Sequence, residues 1–211
     1  MFSGCDALKK LREGNERFST NVRSIDSLLS YTQRANLATS QQEPIAIILG
    51  CSDSRAPAEL VFDQGLGDLF VIRVAGNIVA PSQVGSVEFA ADRFGTKLVV
   101  VLGHSNCGAI TATLEELRRP TENQSPNLHS IVSRVSPAVQ NLLDLSPDLS
   151  RQELVDKAVR ANVRASCDHL RHGSAILEDL IANNGLLVVG AEYCLETGKV
   201  DFFDGVPAEC E

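Results

Sequence analysis

The chain of 211 residues has no tryptophan, a single methionine and only 5% aromatic residues. It also lacks an excess of basic charge, with 19 Lys and Arg against 27 Asp and Glu, a formal net charge of -8. Proteins that bind nucleic acid without sequence preference need a positive surface to track phosphates and aromatic faces to stack bases. Neither is supplied, and nucleic acid is not expected as a partner. Long apolar runs are missing as well. Ile45 to Gly50 and Lys97 to Gly103, the longest, have the length of strands and fall well short of the roughly 20 residues that cross a membrane. A soluble protein with no membrane partner is expected. The opening residues, Met1 to Asp6 and then Lys9 and Lys10, hold no apolar stretch of the kind a secretory signal or lipid anchor requires, so the expected location is cytoplasmic. Internal repeats and low-complexity segments are absent. Hydrophobic residues at 44% and charged residues at 22% match ordinary globular usage, which excludes disorder and collagen. Six cysteines without regular pairing read as thiols, metal ligands or core residues rather than as a disulfide framework.

The length suits one domain over residues 1–211, divided into a helical arm, 1–43, and an α/β core, 44–211. Within the arm, Ala7, Leu8, Leu11 and Phe18 alternate with charges over Cys5 to Phe18 and predict an amphipathic helix, followed by a weaker helical stretch from Ser27 to Leu37. An apolar helix face that precedes the first strand suggests packing on a neighbouring subunit. Pro44 then opens the branched run Ile45 to Gly50, typical of a strand buried on both faces. Leu69 to Val74 is a second strand, with Ala75-Gly76-Asn77 as its exit turn, and Ser86 to Phe94 is a helix stopped by Gly95. Lys97 to Gly103 is a third strand, Cys107 to Leu117 a helix, and Arg118 to Asn127, with two prolines, a surface connection. Helices over Gln152 to Leu170 and from Ser174 to Asn184 lead into a strand, Leu186 to Tyr193, which turns into a short one, Lys199 to Phe203. This alternation predicts a central, mostly parallel β-sheet with an antiparallel edge strand and flanking helices. Ligands of such sheets bind beyond the carboxyl ends of the strands.

Two of those ends carry unusual residues: Cys51-Ser52-Asp53-Ser54-Arg55 after the first strand and His104-Ser105-Asn106-Cys107-Gly108 after the third. Two thiolates and one imidazole form a catalytic zinc set that leaves the fourth tetrahedral position open. The start of the following helix favours Cys107 as thiolate, and two thiolates cancel the charge of Zn2+. Asp53, two residues from Cys51, is expected near the metal. Arg55 is expected to hold that carboxylate in a bidentate ion pair, leaving it able to accept a proton from zinc-bound water.

The pair Cys51-x-Asp53-x-Arg55 and His104-x-x-Cys107-Gly108 resembles the signature of the bacterial β-class carbonic anhydrases. Leu8 to Asn15, Phe70 to Asn77, Ala161-Asn162-Val163 and Val188 to Tyr193 resemble other segments of that family. The resemblance implies reversible hydration of carbon dioxide to bicarbonate and a proton by zinc-bound hydroxide. It also implies metal ligands Cys51, His104 and Cys107, an Asp53–Arg55 dyad, and a homodimer that pairs into homotetramers. Some members close when the aspartate becomes a fourth zinc ligand, which would here be Asp53. Some also carry an inhibitory bicarbonate pocket of Trp, Arg and Tyr; Arg73 and Tyr193 match two of these, but Ile48 stands at the Trp position. Simpler readings are preferred for that pair, Arg73 as a strand-end ion pair and Tyr193 as a core aromatic of an edge strand.

The remaining candidates are read as structural. His169 and His172 are expected to be solvated, His129 to sit in a polar connection, Cys167 and Cys194 to be core or near-core, and Cys5 and Cys210 to be terminal thiols. No histidine is assigned as a proton shuttle. Rival readings are a carbon disulfide or carbonyl sulfide hydrolase on the same scaffold and a non-catalytic zinc or thiol regulatory module. Asp53 and Arg55 argue against the second, because a structural site needs no proton acceptor beside an open coordination position.

Overall fold

A computed structural model describes residues 2–22, 37–120, 125–146 and 148–210. Five strands, β1 (Ala46–Gly50), β2 (Leu69–Arg73), β3 (Leu98–His104), β4 (Leu187–Tyr193) and β5 (Val200–Asp204), form one sheet in the order β2-β1-β3-β4-β5. The first four are parallel and β5 is antiparallel to β4. Every residue of β1 and β3 is buried, which is why both runs are continuously apolar rather than alternating. Their side chains still divide by parity. Ala46, Ile48, Leu98, Val100 and Leu102 face one apolar cluster, and Ile47, Leu49, Val99 and Val101 face another.

On the first face lie α1 (Gly4–Ser19) and the single turn α2 (Ala58–Val61). Ser3 caps α1 by accepting from the backbone N–H of Asp6 at 3.1 Å. Ala7, Leu8 and Leu11 of α1 are fully buried against the chain's own sheet. That differs from the expected packing of this face on a neighbouring subunit, because these side chains find cover within their own fold. Asn15 fixes the docking: its amide donates to the carbonyls of Val61 (3.1 Å) and Gly198 (2.9 Å), and its oxygen accepts from the Val200 N–H at 2.8 Å. Of the second arm helix, residues 27–36 lie outside the described residues.

The opposite face is covered by α3 (Pro81–Arg93), α6 (Arg151–His172) and α7 (Ala175–Asn184). Proline at the first position starts α3 five residues ahead of the expected Ser86, since the missing N–H is unneeded there. Ser174 and the left-handed Gly185 close the two ends of α7 as read. A third apolar cluster lies beyond the carboxyl ends of β1 and β3, beneath α4 (Gly108–Arg118) and α5 (Pro126–Leu145), and includes Cys51 and Cys107.

Helix α5 was not anticipated. Its buried residues Val135 and Val139 are four apart, but Ser, Asn and the internal Pro137 break up the apolar pattern along the sequence. His129 therefore lies in a helix, not in a polar connection. Cys5 and Cys210 are not free thiols either. They form a disulfide across a separation of 205 residues that ties the start of α1 to the short 3-10 turn Ala208–Cys210. Nothing in the spacing of two terminal cysteines announces such a pair, because only the fold brings the ends together. Cys167 is fully buried on α6 and Cys194 is half-buried beyond β4. His169 and His172 are exposed, as expected.

Candidate metal centre

Parallel pairing sets Gly50, the last residue of β1, opposite Leu102 of β3. Cys51 therefore leaves the sheet beside His104, and a turn through Asn106, at φ 55°, returns Cys107 to the N-terminal cap of α4. The Sγ atoms of Cys51 and Cys107 and a ring nitrogen of His104 all lie within 4.8 Å of one another, on three buried residues. No other group of three or more His, Cys, Asp or Glu gathers in this way among the described residues.

The tautomer of His104 is set locally. Nδ1 lies 3.0 Å from the carbonyl oxygen of Ser105, which can only accept, so Nδ1 carries a proton and Nε2 is the ring atom that faces the sulfurs. Nε2 is buried and has no hydrogen-bond partner among the described residues. Burial of the ring favours its neutral form, but the negative Cys51 sulfur beside it outweighs this and raises its pKa.

The two sulfurs are 4.0 Å apart, within reach of a hydrogen bond from one to the other. The Cys107 S–H, together with the His104 ring and the Gly76 and Asp53 backbone, pulls Cys51 down to about 4 against the cost of burial. Cys107 is pushed far up, because the Cys51 thiolate beside it and its own burial disfavour a second negative charge. The helix start that favours a Cys107 thiolate is thus overridden by its neighbour. Two sulfurs and an orphaned imidazole nitrogen buried in an apolar cluster are costly unless a cation joins them. A soft, borderline donor set of this kind suits zinc. The residues fit the ion.

Asp53 lies against Arg55. Its Oδ1 accepts from the backbone N–H and Nε of Arg55, both at 2.9 Å, and its Oδ2 accepts from Arg55 Nη2 at 2.7 Å. Those donors hold the carboxyl well below the usual carboxylate range. Oδ2 also lies 3.8 Å from Nε2 of His104, so the dyad borders the donor set. Arg55 Nη2 reaches the Asn106 carbonyl at 3.3 Å and so links the two strand-exit loops.

Arg73 was read as a strand-end ion pair, and that is incorrect. It donates instead from Nε to the Cys51 carbonyl (3.0 Å) and from Nη2 to the Asp53 carbonyl (2.6 Å), securing the backbone of the loop that carries both. Tyr193 is buried and packs near Phe18, but β4 lies between β3 and β5 and is not an edge strand. The sequence reading gave no role at the site to Gly76, seen only as part of an exit turn, or to Asn162: the Gly76 N–H lies 3.4 Å from Cys51 Sγ, and the Asn162 amide holds the Gly76 carbonyl at 2.8 Å. A polar residue between the apolar Val159 and Val163 on a buried helix face was the available signal.

The family model described as "Carbonic anhydrase" matches residues 46–200. Carbonic anhydrase 2 of Mycobacterium tuberculosis is 39% identical over 200 residues, covering 95% of this chain and 93% of its own length. The carbonic anhydrase of Mycolicibacterium smegmatis is 38% identical, covering 92% and 91% respectively. One of two tetrameric β-carbonic anhydrases of the fungus Sordaria macrospora superposes with a TM-score of 0.72 at 26% identity, covering 81% of this chain and 85% of that one. With the strand order, the Cys-His-Cys cluster and the neighbouring aspartate–arginine dyad on the same scaffold, the chain belongs to the β-carbonic anhydrases, a family of lyases.

Proposed function

We propose that the chain catalyses the reversible hydration of carbon dioxide to bicarbonate and a proton, with zinc held by Cys51, His104 and Cys107. The convergence of those three donor atoms beside the Asp53–Arg55 dyad carries this reading. Zinc, when bound, supplies a Lewis acid that brings the pKa of water from about 15.7 toward neutrality and so a nucleophile at ordinary pH. Cys51 and Cys107 contribute two negative charges that balance the ion, and the Ser105 carbonyl keeps His104 in the tautomer that donates through Nε2.

Asp53 stays ionised because Arg55 holds both of its oxygens. It acts as a hydrogen-bond acceptor that orients the attacking oxygen's lone pair toward the carbon of carbon dioxide. Arg55 positions that carboxylate, and Arg73 fixes the loop beneath it. The site also includes, in this reading, a closed state in which Asp53 leaves Arg55 and becomes a fourth ligand. Its Oδ2 lies 3.8 Å from the His104 nitrogen, which would itself hold the ion. In this reading the Asp53–Arg55 pair would belong to the open state.

Residues 1–211 act as one domain, assembled as a homodimer that pairs into tetramers. The tetrameric Sordaria relative supports the assembly. So does the exposed Phe89 beside Phe70 and Phe94 at the β2 edge of the sheet. A stopped-flow hydration assay on protein of measured metal content tests the reaction. Zinc-dependent hydration that falls sharply in Asp53→Ala supports the proposal. Zinc-loaded protein that hydrates no carbon dioxide at any pH refutes it.

A further inference from the structure

The turn after β2 is held unusually firmly for three residues of irregular backbone. Gly76 sits in the left-handed region, φ 69° and ψ 18°, and Asn77 follows at φ 43°. Glycine adopts such angles without strain but has no side chain to enforce them. The enforcement comes from α6. Asn162, 2% exposed, donates from Nδ2 to the Gly76 carbonyl at 2.8 Å. One helical turn later, Ser166, 5% exposed, donates from Oγ to the Asn77 carbonyl at 3.1 Å. Two successive carbonyls are thus gripped by neighbours on one helix face. The opposite side of the same turn presents the Gly76 N–H to Cys51 Sγ at 3.4 Å.

A buried amide donating to a backbone carbonyl satisfies both groups and needs no further purpose. What distinguishes Asn162 is what lies on the other side of the residue it holds. The carbonyl that Asn162 holds belongs to the 76–77 peptide and the N–H on the sulfur to the 75–76 peptide; they meet at the Gly76 Cα, which has no Cβ to resist rotation, so anchoring the first restrains the second. An N–H donated to a thiolate withdraws negative charge from it, so its presence tunes how strongly the sulfur binds a cation.

We propose that Asn162 is a positioning residue for the Cys51 sulfur, acting through Gly76, with Ser166 securing the following peptide. The inference rests on the reading of Cys51 as a metal ligand. It makes α6, which contributes no ligand, part of the metal centre through the two peptide groups that meet at the Gly76 Cα.

Cobalt substitution and zinc competition test it without reference to turnover. In the unmodified protein, cobalt is expected to show a thiolate-to-metal charge-transfer band, and its absence would remove the ligand reading and this inference with it. With that band established, Asn162→Leu fills the volume of the amide but cannot donate. It is expected to shift the band and weaken zinc in chelator competition by about ten-fold to a hundred-fold. Asn15→Leu is the control, because Asn15 is an equally buried amide that donates to two carbonyls away from the site. It is expected to lower thermal stability and leave both metal readouts unchanged. If Asn162→Leu matches Asn15→Leu, with stability lost but band and affinity intact, Asn162 is merely structural and the proposal falls. Should Asn162→Leu not fold, Asn162→Ser, too short to reach the carbonyl, is judged by the same criterion. Ser166→Ala is expected to move the band in the same direction by less.

Discussion

Breaking the Cys5–Cys210 bond should destabilise the protein through the unfolded chain far more than through the folded one. The bond closes a loop across 205 residues, nearly the whole polypeptide. Chain-entropy reasoning for a loop of that size gives an upper figure of about 5 kcal/mol at 25 °C, and measured disulfides usually deliver somewhat less. In the native state little should change. The start of α1 is held independently by Ala7, Leu8 and Leu11 in the core, by the three hydrogen bonds of Asn15, and by Arg12 Nη1 donating to the Cys210 carbonyl at 2.6 Å. The Cys5→Ser, Cys210→Ser double variant is therefore expected to fold, to retain its zinc, and to lose about 3–5 kcal/mol in equilibrium urea unfolding. That corresponds to a midpoint lowered by about 1–2 M. The urea dependence should steepen, since an uncrosslinked chain exposes more surface when it unfolds. Matching urea midpoints for the oxidised protein and the variant would refute the reasoning. So would loss of zinc from the variant, because it would tie the bond to the metal centre.

Other consequences follow from the site and its support. Cys51→Ser, His104→Ala and Cys107→Ser should each reduce zinc from about one ion per chain to well below stoichiometry by elemental analysis, whereas Cys167→Ser and Cys194→Ser should keep it. Metal uptake should weaken toward acid pH. Cys51 near 4 is already ionised at neutrality, but Cys107 is pushed up and keeps its proton until the metal displaces it, so affinity should fall about tenfold per pH unit in calorimetric titrations. Arg55→Ala frees Asp53 to occupy the fourth position and should depress hydration across the pH range. With Arg55 intact, activity should rise between about pH 6.5 and 8.5, because hydroxide competes with the carboxylate for that position better than water does. Gly103→Ala should cost about 1–3 kcal/mol in thermal or urea unfolding, since its Cβ would stand 2.6 Å from a Val163 methyl and 3.1 Å from one of Val159.

The sheet and the donor set were legible in the sequence for a common reason: each depends on contiguous residues. Continuous branched runs mark β1 and β3 because burial on both faces removes any need for alternation, and the chemistry stands immediately after them at Cys51 and His104. Arg73 was misread because its partners are carbonyls, and backbone acceptors leave no trace in a residue string. The Cys5–Cys210 pair was missed because its ends meet only once α1 has docked across the sheet. Helix α5 escaped for a different reason: its apolar spacing is present, but Pro137 and the serines around it imitate a connection. The aspartate–arginine pair was readable because two residues in one short loop leave the side chains few other places to meet.

The centre also shows why a register error would be more damaging than the loss of any one support. Gly50 pairs with Leu102 in the parallel ladder, which places Cys51 level with the residues leading into His104. A slip of one residue in β1 would exchange Ile47 and Leu49 for Ala46 and Ile48 between the two apolar clusters, and it would turn Cys51 toward the opposite face. The same burial that makes these strands unreadable by alternation thus fixes the ligands, since each face demands its own side chains. Gly103 allows α6 to lie close over β3, and that approach is what brings Asn162 to the turn behind Cys51. Placement of Cys51 is therefore coupled to the packing of α6 on the face of the sheet that they share. The donor set rests on the buried core beneath it, while Asp53 is held from the solvent side by Arg55 and through its backbone by Arg73.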